Sequence, residues 1–101
     1  MGKLMSLLYF ILSVFPADAT ENRRHIHVVR RGSKKSHRGN TVAKIWIEKN
    51  GEQCVEVAES ELSAKENEML VTAINRHWVF INNQITKVFN GEKTVSIDID
   101  K

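Results

Sequence analysis

Apolar and polar positions alternate with a period of two through the middle of the chain, then switch to helical spacing after residue 63. His25 to Arg31 places Ile26 and Val28 on one face and His25, His27 and Val29 on the other, a β-branched alternation that predicts a strand. Val42 to Glu48 predicts a second, with Ala43, Ile45 and Ile47 on one face and Trp46 on the other. Lys49-Asn50-Gly51 marks a hairpin, because Asn-Gly tolerates the positive φ of a tight turn. A further strand follows from about Gln53 to Ala58. Ser63-Ala64-Lys65-Glu66 has the form of a capping box, in which the serine hydroxyl and the glutamate each satisfy a free backbone amide. It predicts a helix from Ala64 to about Arg76, buried along Met69, Leu70, Ala73 and Ile74. Trp78, Ile81, Ile85, Val88 and Phe89 continue at helical spacing after a bend near His77, and Asn90-Gly91 supplies a stop. Thr94 to Ile99 alternates again and predicts a short final strand within the tail 92–101.

The apolar run at residues 4–15 supports two readings. Lys3, the run itself, Pro16 and Ala17-Asp18-Ala19 have the layout of a signal peptide with its cleavage site. The run is too short for a membrane span. It is also rich in Tyr, Phe, Ile and Val, which suit a buried strand. The first reading implies export after loss of residues 1–19, and the second implies a cytoplasmic protein.

These elements define an α+β fold over 1–101, a single domain: a small antiparallel sheet of about four strands, covered on one face by two helices. A chain of 101 residues with 42% hydrophobic residues fills a modest core without metal or disulfide support. The single Cys54 has no partner for an internal disulfide. It reads as a small buried hydrophobe rather than a reactive thiolate.

Charge changes this picture in one place. Residues 23–38 hold Arg23, Arg24, Arg30, Arg31, Lys34, Lys35 and Arg38, together with His25, His27 and His37, and no acid. The formal net charge of +3 arises entirely in this stretch. It divides into a strand bearing His25 and His27 and a loop from Gly32 to Asn40 rich in Ser, Gly and Lys. A basic edge of this kind suits phosphate contacts, which position nucleic acid without reading its sequence. Phe, Trp and Tyr, which would stack on unpaired bases, are absent from residues 16–45. Glu59, Glu61, Glu66 and Glu68 form an acidic counterpart near the helix start, where the helix dipole favours carboxylates.

The aromatic start Tyr9-Phe10, then His25-Ile26-His27-Val28, then Ala43-Lys44-Ile45-Trp46-Ile47-Glu48, then Ser63 and Phe89, resemble a family of small bacterial proteins catalogued as domain of unknown function 4160. The chain departs from that family's pattern at Arg23-Arg24, where a proline is usual, at Ile85 to Phe89, where a tryptophan is usual, and in its longer tail. The resemblance implies that residues 4–15 are the first strand. It also implies an accessory or regulatory role of toxin–antitoxin type, with a partner protein encoded nearby.

His25 and His27 are the candidate catalytic residues. On one strand face they lie roughly 7 Å apart by strand rise. Such a pair serves a small ribonuclease if one imidazole takes the 2′-hydroxyl proton and the other protonates the leaving oxygen, with Arg30 or Lys34 on the phosphate. In-line displacement wants the two on opposite sides of the substrate, which a shared face does not provide. A structural metal site needs two more ligands, and no spacing links Cys54 or His77 to the pair, so neither metal nor cofactor is expected. The reading that ranks first is therefore a binding protein, with the ribonuclease second and an exported domain third.

Overall fold

The computed structural model describes residues 2–7, 10–14, 23–30, 41–94 and 97–99. They form, in chain order, β1 (Gly2–Leu7), β2 (Phe10–Val14), β3 (His25–Arg30), β4 (Thr41–Lys49), β5 (Glu52–Ser60), α1 (Ala64–Arg76), α2 (Trp78–Phe89) and β6 (Ile97–Ile99). One sheet runs in the order β5-β4-β3-β2-β1-β6. Neighbours from β1 to β5 are antiparallel, and β6 pairs with β1 in parallel.

The expected α+β arrangement is present, and the sheet is wider than about four strands for two reasons. The apolar run at 4–15 folds as two strands, with Leu7 opposite Phe10, rather than as one. Its connection is Leu8-Tyr9, which has none of the Gly, Asn or Pro that mark turns in a sequence. The tail then adds β6 beside β1. β3 pairs with β2 on one side and β4 on the other, so the histidine pair lies on a sheet face rather than at a sheet edge.

Period-two alternation sorts the sheet residues onto two faces. Leu4, Phe10, Leu12, Val14, Ile26, Val28, Ala43, Ile45 and Ile47 form one side of the core. Leu70 and Ile74 of α1 and Ile81, Ile85 and Val88 of α2 close it from above. Burying each of the Val, Leu, Ile and Phe side chains among them stabilises by about 1.5–3 kcal/mol. The helix start is capped as its sequence implies: Ser63 Oγ accepts from the Glu66 amide, and the Glu66 carboxylate accepts from the Ser63 amide. Trp78 Nε1 donates to the Ile47 carbonyl at 2.6 Å and ties the start of α2 to β4. Asn50 and Gly51 take φ of 56° and 85°, the positive values the hairpin requires.

Candidate functional site

The face of the sheet turned away from the helices brings the candidate histidines together with charged and aromatic side chains. His25 and His27 project from β3, Lys44 and Trp46 from β4, and Glu56 from β5, because these positions alternate with the core residues. His25 stands opposite Trp46 and His27 opposite Lys44. Both histidines are buried, at 2% and 8% exposure. Their ring centroids are 5.0 Å apart in an edge-to-face arrangement, closer than the strand rise alone places them. His25 makes a second edge-to-face contact with Trp46 at 5.3 Å. His25 Nδ1 lies 3.3 Å from the Arg23 carbonyl, which can only accept, so that nitrogen carries a proton. His27 Nδ1 lies 3.5 Å from Thr41 Oγ1. Beside them Ser13 stands opposite His27, and its buried hydroxyl has no hydrogen-bond partner among the described residues.

Arg23 crosses this face. Its Nε donates to the Glu48 carbonyl and one Nη to the Glu56 carboxylate on β5, two strands away from β3. In spanning β4 the guanidinium passes over the Trp46 ring, 5.2 Å from its centroid. Lys44 Nζ lies 4.6 Å from the same centroid. Trp46 is thus framed by two cations, an arrangement worth about 0.5–1 kcal/mol per contact at exposed positions. Cys54 Sγ is 3.7 Å from Arg23 and 3.6 Å from Glu56, and the thiol donates to that carboxylate. The hydrogen bond from Arg23, helped by the Cys54 thiol and by the charge of Arg23, holds Glu56 below its ordinary pKa of 4.5. Glu48 is also held low, chiefly by the Gly51 amide and, against the effect of burial, by the Arg24 amide and both arginine charges.

The basic stretch therefore does not form one continuous patch among the described residues. Arg24 turns to the helix side, where its Nη1 donates to Asn82 O at 3.0 Å, to Asn82 Oδ1 at 2.9 Å and to Thr86 Oγ1 at 2.9 Å. Its guanidinium also lies 5.6 Å from the Phe89 ring centroid. Arg30 is exposed, 5.8 Å from the Phe10 ring centroid. Arg31, Lys34, Lys35 and Arg38 lie outside the described residues.

Among the described residues, no three His, Cys, Asp or Glu side chains come together in a way that holds a metal ion. No helix of the described residues is long and apolar enough to cross a membrane. Sequence reasoning found the histidines and arginines but missed Glu48 and Glu56 as their partners. The signal for Glu48 was its place three residues before the turn glycine. No local signal marked Glu56, since the hairpin counted in simple register puts Val55 opposite Trp46.

The fold and this face together define a small α+β domain with a polar, largely closed sheet surface. No protein-family model matches the chain, and neither the curated proteins nor the solved structures contain a significant match.

Proposed function

We propose that this protein is a binding component rather than an enzyme: an accessory or regulatory protein of the bacterial toxin–antitoxin kind that engages an anionic macromolecule through its basic stretch. The family resemblance of the sequence supports the biological setting. The observation that carries the choice of binding over catalysis is the burial of His25 and His27. A ribonuclease needs an acid and a base facing a substrate from two sides. Here the two imidazoles share one face, pack against each other, and have Nδ1 beside the Arg23 carbonyl and the Thr41 hydroxyl.

The leader reading of residues 1–19 has less support than the strand reading. Cleavage there removes β1 and β2, and with them Leu4, Phe10, Leu12 and Val14 from the core.

Labelled RNA incubated with the wild type and with a His25→Ala/His27→Ala variant tests the proposal. No histidine-dependent cleavage is expected. Cleavage by the wild type that disappears in the variant overturns it in favour of the ribonuclease.

A further inference from the structure

Beyond the histidine pair, one cavity of about 290 Å³ opens beside the start of β4 and the end of β5, lined by Thr41, Val42, Ala43, Lys44, Glu59, Ser60 and Glu61. Two irregularities in strand pairing bound it. One lies between β3 and β4, where the step from Val28 to Val29 spans Ala43 to Thr41. The other lies between β4 and β5, next to Lys44 and Ile45. Bulges of this kind re-aim side chains and concentrate beside functional sites.

The charges around the cavity are unusual in what they leave undone. Lys44 and Glu59 stand directly opposite each other across the strands. Opposite charges so placed ordinarily pair. Among the described residues Arg23–Glu56 is an ion pair, whereas Lys44, Glu59 and Glu61 form none. Lys44 Nζ instead rests near the Trp46 ring, 4.6 Å from its centroid. The Thr41 hydroxyl on the cavity wall is fixed from behind by His27 at 3.5 Å.

We propose that this cavity binds a small zwitterion, a molecule with an ammonium at one end, a carboxylate at the other and a few carbon atoms between. The ammonium meets Glu59 and Glu61. The carboxylate meets Lys44 and the Thr41 hydroxyl. A simple cation leaves Lys44 unmatched, and a simple anion leaves the two glutamates unmatched. Only a ligand carrying both charges satisfies the whole lining, and a volume near 290 Å³ sits at the small end of ligand sites. The lining includes no residue of the basic stretch, so the site stands or falls apart from the binding function proposed above.

Amide NMR titration of the full chain with glycine and with γ-aminobutyrate tests the proposal, with butyrate and butylammonium as single-charge controls. At least one zwitterion should give saturable shifts confined to residues 41–44 and 59–61, and the controls should bind at least about tenfold more weakly. Lys44→Gln and Glu59→Gln should each weaken zwitterion binding by about tenfold, with thermal melting checked in parallel. The proposal is overturned if neither zwitterion gives saturable shifts there, if the controls bind equally well, or if folded variants keep full affinity. Should both variants fail to fold, the comparison of zwitterions with single-charge controls on the wild type decides it.

Discussion

Glu48 and Arg24 show how much a single residue can hold in this fold. The Glu48 carboxylate accepts from the Arg24 amide at 3.0 Å and from the Gly51 amide at 2.8 Å, so it joins the start of β3 to the β4–β5 turn. Its pKa and that of Glu56 are lowered on folding. A lowered carboxylate pKa means that the unfolded chain binds its proton first as pH falls. The stability these groups contribute is complete above about 4.5 and is lost as pH drops through their folded values. Urea midpoints measured between about pH 5 and pH 3 should therefore fall steeply for the wild type. In a Glu48→Gln variant they should start lower at neutral pH and fall less. Equal slopes for the two proteins would remove Glu48 from this account. Arg24 makes a different contribution, since three acceptors on α2 converge on one of its nitrogens. Arg24→Ala is expected to cost about 1–3 kcal/mol by chemical denaturation.

At the scale of elements, most of the fold was legible where local chemistry and periodicity agreed. The capping box at Ser63 placed the start of α1, and the Asn50-Gly51 turn placed the β4–β5 hairpin. The division of residues 4–15 was not legible, because both halves are apolar and no turn residue separates them. The opposition of Trp46 and Glu56 was hidden for another reason. Each irregularity in β5 slips the register by one residue, and nothing in the local sequence announces a slip. The arginine clamp and the ion pair over Trp46 depend on that slipped register, so the candidate site was visible as residues but not as contacts. The N-terminal strands carry a direct test. A chain beginning at Thr20 lacks β1, β2 and four core side chains. Truncating such side chains singly costs about 2–5 kcal/mol each, and together this rivals a domain's whole stability of about 5–15 kcal/mol. The shortened protein should show no cooperative melt by circular dichroism. A sharp transition would restore the leader reading.

Over the whole molecule, the net charge of +3 conceals an uneven distribution. Arg23 and Arg24 are consumed by internal contacts. The proposed contact with an anionic partner then falls to Arg30, which is exposed, and to Arg31, Lys34, Lys35 and Arg38, which lie outside the described residues. Binding to RNA or to an acidic protein should weaken steeply as salt rises. Replacing Arg30, Arg31, Lys34 and Lys35 with alanine should abolish it without lowering the melting temperature. Arg24→Ala should do the reverse. Affinity that ignores salt, or that survives the fourfold substitution, would exclude the basic stretch as the contact.

The parallel pairing of β6 with β1 also governs when this protein can fold. Met5 to Leu7 reach their partners at Ile97 to Ile99 only after all the chain between them has been made. On the ribosome β1 therefore emerges well before β6, and one of its two sides stays unpaired until β6 has been made. Through that interval an apolar strand pair has an open edge, the state most prone to pairing with a neighbouring chain. Expression level and translation speed, rather than equilibrium stability, should then set how much of this protein is recovered soluble.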